Sequence, residues 1–500
     1  MLNSNSSLLK LNLRHQNSLL LNILAIAVFF SAVIATLTEK VWLMGIPFFI
    51  ILIYVTIINF KIVFFFLFAL IPISTEVKLK SGFSTDFPTE PLIIYLMFVY
   101  VFYILYNMRA ISNSFFKHPL TLFVIFHVLW IGISILSSHD LIISLKFFLA
   151  KIWYVICFYF LAGIVIKKVK DLKVLFWCFY LTLFVVVCIV LVRHAHYNFS
   201  FKDVNYIFDP FFRNHVNYAC TLALIFPYLF FAIFWYKKWS NKWLFLIFGL
   251  AFLFVAIQFS YTRAAILSIF IAAGAFYIIK VKLIKQAFLI TILLLAIVII
   301  FLGEQNKYLR LAPKYEKTIT QSNYENLLEA TYKLEDISTM ERVYRWVAGF
   351  QMIKQEPIFG FGPGNFYFNY KSYTVSSFRT YVSNNPERSG IHSYYLIVFV
   401  EQGIIGFSIF MLMVFYALAK GEMVYHKLKD RYSKNMVMAA VLSFIIILSL
   451  LLINDMIETD KVGPFFFLAM AIITNLDLKA QGLIKDEEDT SNINEAPISH

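Results

Sequence analysis

The chain has 500 residues, of which 60% are hydrophobic and only 14% are charged, whereas a soluble protein of this length keeps roughly a quarter of its residues charged. The apolar residues come in runs of about 18 to 25, the length that spans the hydrocarbon core of a bilayer. This composition excludes a soluble protein, and the formal net charge of +14 is explained by basic residues in cytoplasmic loops. No basic module stands outside the apolar runs, so no nucleic-acid partner is expected.

The apolar runs predict about fourteen transmembrane helices, of which the second and third are short enough to merge, so the range is roughly twelve to fourteen. They cover residues 18–36, 41–58, 60–74, 91–107, 119–136, 143–166, 173–193, 216–236, 243–260, 264–280, 286–303, 393–419, 435–453 and 462–476. The predicted fold class is therefore all-α, a polytopic transmembrane helix bundle with one large helical extracytoplasmic loop. The four cysteines lie in apolar runs without C-x-x-C spacing and indicate neither disulfides nor a metal site.

The basic residues orient these spans. With the N-terminus in the cytoplasm, the loops on that side hold roughly twice as many Lys and Arg residues as the short outer loops, as the positive-inside rule requires. Both termini are then cytoplasmic. The predicted organisation is transmembrane helices 1–11 in residues 1–303, one extracytoplasmic loop with amphipathic helices in 304–392, C-terminal transmembrane helices in 393–476 and a disordered acidic cytoplasmic tail in 477–500.

The large loop is predicted to contain two amphipathic helices. One covers residues 323–335, and the other begins at a capping-box pattern at Ser338 and is ended by Pro357. Helical spacing of apolar side chains predicts the buried face of this second helix, formed by Val343, Trp346, Val347, Phe350 and Ile353. We expect such helices to lie over the mouth of the transmembrane bundle.

Three arginines near the predicted outer surface are candidates for phosphate binding. Arg263 lies in a very short outer connection, where the charge rule does not ask for a cation, so it is either a headgroup-binding arginine or a phosphate ligand. Arg342 and Arg345 share one face of the second loop helix. For Arg345 an ordinary solvated position is expected.

Further polar residues cluster near the same boundary. The Gly-rich stretch after Pro357 includes Gly362, Gly364 and Asn365; it lacks the Lys-Ser/Thr of a nucleotide loop and predicts a tight turn whose amides can meet an anion. His392 begins the next span and is either a hydrogen-bonded structural residue or a general base. Arg213, His215 and Asn217 flank an earlier span, and Asp455 and Glu458 are weaker candidates of the same kind.

Four motifs in this order resemble the superfamily of O-antigen ligases and O-antigen polymerases. They are R-x-x-x-L at Arg263 to Leu267, R-x-x-x-W at Arg342 to Trp346, P-x-x-G-x-G-x-G-x-F at Pro357 to Phe366, and His392-Ser393 followed after nine residues by G-x-x-G at Gly403 to Gly406. The match covers roughly residues 215–410. More spans are counted here than the twelve expected of the ligases.

The resemblance implies a metal-independent, inverting glycosyltransferase without a cofactor, in the bacterial inner membrane with its site facing the periplasm. The donor would be an undecaprenyl-diphosphate-linked glycan, and the acceptor a hydroxyl of lipid A-core or of another glycan. Arg263 and Arg342 would hold the diphosphate, and His392 would orient or deprotonate the acceptor hydroxyl. Ligase and polymerase are both left open. A flippase for lipid-linked oligosaccharides is the alternative of another class, although the chain lacks the internal repeats that many transporters show.

Overall fold

The computed structural model describes residues 26–40, 43, 45–78, 84–107, 113–201, 204–312, 337–379, 383–385 and 389–483. Most of these residues are helical. The long helices are α1 (Ile26–Leu37), α2 (Gly45–Leu70), α3 (Thr89–Tyr106), α4 (Pro119–Ser134), α5 (Leu141–Val155), α6 (Val169–His196), α7 (His215–Ala232), α8 (Asn241–Phe259), α9 (Arg263–Lys280), α10 (Ile284–Gly303), α11 (Ile337–Gln355), α12 (Tyr394–Lys427), α13 (Arg431–Leu450) and α14 (Gly463–Ala480). The chain forms two compact units, residues 1–67 and 68–500, and the site described below lies in the second.

The predicted all-α polytopic membrane fold is confirmed. Within the described part of the chain, twelve helices are long and apolar enough to cross a bilayer, and α1 is a shorter apolar helix. The predicted spans 41–58 and 60–74 are a single helix, α2, with non-helical backbone angles at Asn59. Ten helices instead of eleven therefore precede the long loop (residues 304–392), so the crossing count that put the N-terminus in the cytoplasm no longer holds.

Burial separates the central helices from those that face lipid. In α14, 89% of the apolar window is buried inside the protein, and in α13 the share is 83%, whereas in α10 it is zero. Because lipid tails are as apolar as these side chains, a helix that touches few neighbours remains stable in a bilayer. The centre of the bundle is formed by α7, α13 and α14, which pack against one another.

A short polar hairpin joins α2 to α3, although no strand was predicted there. Strands β1 (Thr75–Lys78) and β2 (Ser84–Phe87) pair antiparallel, with Thr75 opposite Phe87 and Lys78 opposite Ser84. The residues are too few and too polar to form a buried strand. Instead they cover the end of the bundle near the segment that connects α13 to α14.

The described part of the long loop has its own hydrophobic core. Helix α11 begins one residue before the predicted start at Ser338 and ends two residues before Pro357, as predicted. Its buried face differs from the predicted one: Met340, Tyr344, Ala348 and Met352 are inside with Val347, while the other four predicted residues are only partly buried. The predicted helix at 323–335 lies outside the described residues.

The predicted acidic tail starts too early. Asp477 is completely buried in α14, where its Oδ2 atom lies 3.0 Å from Nε2 of His118 and 3.0 Å from Nζ of Lys420. A carboxylate with two such partners and a hydrogen bond from Gln481 stabilises the end of this helix. Residues 477–480 therefore belong to the bundle, and the rest of the predicted tail from residue 484 lies outside the described residues.

Candidate functional site

Helix α11 places two arginines beside the start of α12. Arg345 is only 5% exposed, contrary to the expected solvated position. Its guanidinium contacts the Glu341 carboxylate at 3.2 Å and donates to the Gly390 carbonyl oxygen at 3.2 Å. The second Glu341 oxygen accepts a hydrogen bond of 2.7 Å from the hydroxyl of Ser383. The face of α11 that carries charges is therefore turned inward because those charges are paired.

His392 lies between these arginines and the first turn of α12. Its backbone has a positive φ of 56°, a conformation that non-glycine residues rarely adopt and that often occurs where a side chain is aimed at a site. Burial, together with the positive charges of Arg345 and Arg342, lowers the pKa of His392 to about 3. The imidazole is therefore neutral near pH 7 and carries a lone pair that can accept a proton.

Arg263 reaches the same region through the starts of two further helices. It is the first residue of α9, where a cation opposes the helix dipole, so its position is not explained by helix stability. The preceding residue, Thr262, donates from its hydroxyl to the His215 carbonyl oxygen at 3.5 Å. His215 is the first residue of α7 and lies within Coulombic range of Arg342. The N-termini of α7, α9 and α12 thus meet next to the guanidinium groups.

Arg213 approaches this group from the segment before α7. It is solvent-exposed, and its charge acts on the carboxylate of Asp455, as does that of Arg345. Burial raises the pKa of Asp455, while the two arginines oppose that rise. Gly390 lets the two segments approach, since a Cβ atom on it would lie 2.0 Å from an Asp455 oxygen. Asp455, predicted as a weaker candidate, therefore lies directly beside the arginines.

The Gly-rich turn after Pro357 forms backbone hydrogen bonds with a break in α12. At Gly403 the helix has φ 64° and ψ −171°, so the carbonyl groups before it lose their helical partners. The amide of Phe361 donates to Val400 at 3.0 Å, and that of Gly362 donates to Glu401 at 2.9 Å. Beyond the break, the Ile404 amide donates to the Pro357 carbonyl at 2.8 Å. The third and fourth sequence motifs are therefore two halves of one structural joint.

The predicted substrate contacts of Gly362, Gly364 and Asn365 are not supported by their partners. The Gly364 amide donates to the Glu401 carboxylate at 2.8 Å, and Gly362 is occupied as described above. Asn365 is fully buried; its Nδ2 donates to Ser138 and Ser144 at 2.8 Å each, and its Oδ1 accepts from the Asp140 amide. These atoms have no capacity left for a ligand, because each already satisfies a buried protein group. The expected positive φ of the glycines is present.

A buried lysine in an ion pair beside the site was not predicted. Lys151 of α5 is 2% exposed, and its Nζ lies 2.6 Å from Oε1 of Glu458, which also accepts from the Tyr394 hydroxyl at 3.0 Å. A lysine inside an apolar span is costly and marks either a site or its support, which is the signal that could have identified it. The pair connects α5, the start of α12 and the segment before α14.

The arrangement combines positive charge with a neutral base. Guanidinium forks and helix N-termini both favour phosphate oxygens, and His392 is placed among them to accept a proton. Among the residues that the structure describes, no group of three or more His, Cys, Asp and Glu side chains could hold a metal ion. Metal independence stays a prediction, but the side chains present are suited to bind an anion without one.

The comparison with known families agrees with the motif order. Residues 248–411 match the family model described as O-antigen ligase, and this segment contains Arg263, Arg342 and His392. This match confirms the predicted resemblance to the O-antigen ligase and polymerase superfamily over residues 248–411 and supports a function of the membrane glycosyl-transfer type. No curated protein matches the chain.

Proposed function

We propose, on the premise that residues 248–411 form a domain of the O-antigen ligase family, that the protein moves a glycan from undecaprenyl diphosphate to an acceptor hydroxyl at the outer face of a bacterial inner membrane. The observation that carries the proposal is the meeting of Arg342 and Arg345 with His392, next to the starts of α7 and α9. A diphosphate leaving group and a hydroxyl nucleophile need this combination of cations and a base.

In the proposed reaction the acceptor oxygen attacks the anomeric carbon of the glycan from the face opposite the diphosphate, so the configuration inverts. The bond from that carbon to the diphosphate oxygen breaks, and its electron pair leaves with the diphosphate. Arg263 and Arg342 stabilise the negative charge that grows on this leaving group. A ring nitrogen of His392 takes the hydroxyl proton, which completes the balance to glycoside, undecaprenyl diphosphate and a proton.

The electrostatics give the donor a second role. In the free protein burial, together with the positive charges of Arg345 and Arg342, holds the pKa of His392 down to about 3, where the imidazole is a weak base. A bound diphosphate offsets part of the positive charge of these arginines, which removes part of the smaller cause of the shift, so the pKa of His392 is higher when the donor is in place than in the free protein. His392 is then a stronger base in the complex with the donor than in the free protein.

Ligase and polymerase share this chemistry and differ only in the acceptor, so both remain within the proposal. A flippase has no use for a base among phosphate-binding arginines. Release of free undecaprenyl diphosphate in detergent separates the two classes, because an enzyme produces it and a flippase does not.

The test is glycan transfer by variants, normalised to membrane-inserted protein, with donor affinity measured separately. We expect Arg263→Lys and Arg342→Lys to lower the rate by roughly 10²–10³, since lysine keeps the charge and loses the bidentate fork. His392→Ala should lower turnover and leave donor binding largely unchanged, because its partner is the acceptor. The matched control is Arg379→Lys, an exposed arginine of the same loop.

If His392→Ala transfers glycan at the wild-type rate, His392 is not the general base. If Arg342→Lys and Arg379→Lys lose the same activity, the effect belongs to the loop in general, and the assignment of the leaving-group site to Arg342 is wrong.

A further inference from the structure

A polar cavity of about 330 Å³ opens beside the arginine and histidine group. Arg213 and Asn217 line it on one side, and the β1–β2 hairpin and the segment Glu458 to Lys461 line it on the others. It is therefore continuous with the proposed site through Arg213, whose charge also acts on Asp455.

The lining has the groups that recognise carbohydrate hydroxyls. Hydroxyl and carboxylate residues line the cavity, and Phe211 and Phe212 form part of its wall. Carboxylates and amides form paired hydrogen bonds with neighbouring hydroxyls, and an aromatic face packs against the C–H face of a sugar ring.

Asn217 gives independent evidence that this cavity receives a polar ligand. Its residue is only 9% exposed, its side chain lines the cavity, and its side-chain amide makes no hydrogen bond to the described residues. Because this amide is accessible from the cavity and has no partner among the described residues, water or a polar ligand satisfies it there.

The cavity carries an excess of negative charge. Six carboxylates line it, against two cations: Glu76, Asp86, Glu90, Asp209, Glu458 and Asp460 against Arg213 and Lys461. Asp460 is paired with Lys461 at 3.2 Å, and Glu458 with Lys151, so four carboxylates remain with Arg213. Burial, and after it the charge of Asp460, raises the pKa of Asp86 to about 7, so Asp86 is only partly ionised at neutral pH and the other three carboxylates carry most of the excess negative charge.

We propose that the cavity is a saccharide subsite that accepts neutral or amino-bearing sugars and rejects sugars that carry a carboxylate or phosphate. The inference rests on the proposed function for the origin of the sugar, which belongs either to the lipid-linked donor or to the acceptor. An anionic sugar in the cavity would meet several uncompensated carboxylates at short range.

The test uses two matched pairs of probes on the purified full chain in detergent. The first pair is undecaprenyl-diphosphate-linked neutral hexose disaccharide and the same lipid with a hexuronic acid as the second sugar. The second pair is the methyl glycosides of the same two disaccharides, which resemble acceptors. Each probe competes with the radiolabelled neutral compound of its own pair. In at least one pair we expect the neutral probe to bind about tenfold or more tightly than the acidic probe.

Charge variants locate the origin of this preference. Glu76→Gln with Asp209→Asn removes two exposed carboxylates from the cavity and should reduce the preference to about threefold or less. The matched control, Glu304→Gln with Glu356→Gln, changes the net charge equally at exposed positions outside the cavity and should leave the preference unchanged.

Selectivity within the lipid-linked pair assigns the cavity to the donor, and selectivity within the methyl glycosides alone assigns it to the acceptor. Equal binding of neutral and acidic probes in both pairs overturns the inference, as does a preference that the cavity variant leaves intact. Release of undecaprenyl diphosphate is measured in the same preparations. Release without selectivity contradicts the subsite alone, whereas selectivity without release contradicts glycosyl transfer alone.

Discussion

Arg345 occupies a position that an arginine reaches only with its charge compensated. Glu341, the Gly390 carbonyl and the nearby Asp455 surround it, and both members of the Arg345–Glu341 pair are less than a tenth exposed. Removing one partner of such a pair leaves a buried charge without compensation, which costs more than the pair contributes.

We therefore expect Arg345→Ala to lower the free energy of unfolding by about 3–5 kcal/mol, measured by thermal and denaturant unfolding in detergent. Arg379→Ala, at an exposed site of the same loop, should change it by less than about 0.5 kcal/mol. Adding Glu341→Ala to Arg345→Ala should recover part of the loss, because the unpaired carboxylate is then gone. Equal stability of Arg345→Ala and the wild type would contradict the buried pair.

His392 gives a prediction about pH. Its folded pKa of about 3 lies below the ordinary 6.5, so the unfolded chain takes up the proton first. The contribution of His392 to stability is therefore present above pH 6.5 and declines as the pH falls from there toward 3. The pH profile of kcat/KM reports the free enzyme and should show no fall in activity near pH 6.5 from protonation of His392. The profile of kcat reports the complex with substrate, and there the fall in activity should occur at a higher pH than the free-protein pKa of about 3.

The measurement is the rate of transfer across about pH 4.5–8.5 for the wild type and His392→Gln. A limb in kcat/KM near 6.5 that disappears in His392→Gln would mean that burial and the arginines do not hold the imidazole neutral in the free protein.

At this scale, the predicted topology placed Arg263, Arg342 and His392 at the outer membrane boundary or on the loop above it. In the structure Arg342 acts on both His392 and His215, and Thr262, which precedes Arg263, contacts His215. The role of Arg345 could not be predicted, because its partners Glu341 and Gly390 face it only after the loop has folded. Periodicity alone places charged residues on the solvent face, and a buried ion pair reverses that assignment.

At the scale of elements, the joint between the Gly-rich turn and α12 fixes how the long loop meets the bundle. Gly403 has a backbone conformation available essentially to glycine, and a Cβ atom there would lie 2.0 Å from the Ile358 carbonyl oxygen. The Trp130 indole donates to the Gln402 carbonyl at 2.9 Å and stacks on Phe359, which closes the joint from the side of α4.

Gly403→Ala should therefore lower the free energy of unfolding by about 3 kcal/mol, from backbone strain and the clash combined. The control is Gly274→Ala in α9, where no atom lies within 4 Å of the added methyl group and alanine favours the helix. Thermal unfolding in detergent measures both. A Gly403→Ala protein as stable as Gly274→Ala would show that the break in α12 is not required.

Hydropathy was sufficient to predict most of the helices, since a bilayer requires long apolar segments whatever their neighbours. It could not predict the merging of two short spans into α2, because the residues around Asn59 do not reveal whether the chain bends or reverses there. The β1–β2 hairpin was also missed, as its pairing depends on the surface that it covers. The glycines predicted a turn correctly, but the sequence did not reveal that a helix break would occupy its amides.

At the scale of the whole molecule, the orientation depends on the basic loops that follow α3. These loops are unaffected by the length of α2, so we still expect the long loop on the outer side and the connection between α12 and α13 in the cytoplasm. Helix α2 has 26 residues, enough to cross the hydrocarbon core once. Because eight spans, α3 to α10, separate the β1–β2 hairpin from the long loop, we expect the hairpin on the same side as that loop and the segment before α2 in the cytoplasm.

Single cysteines test this arrangement in a chain that lacks the four native ones. Position 384, exposed in the long loop, should react with an impermeant thiol reagent in intact cells, whereas positions 238 and 429, exposed in two basic loops, should react only after permeabilisation. Position 40 tests whether the chain crosses the membrane once or twice between residues 41 and 74. Fourteen spans that start in the cytoplasm would place position 40 outside. A single crossing by α2 places it inside, where it should react only after permeabilisation, like position 429. Labelling of positions 238 and 429 in intact cells without labelling of position 384 would show that the protein has the opposite orientation in the membrane. The arginines and His392 would then face the cytoplasm, where a periplasmic acceptor cannot reach them.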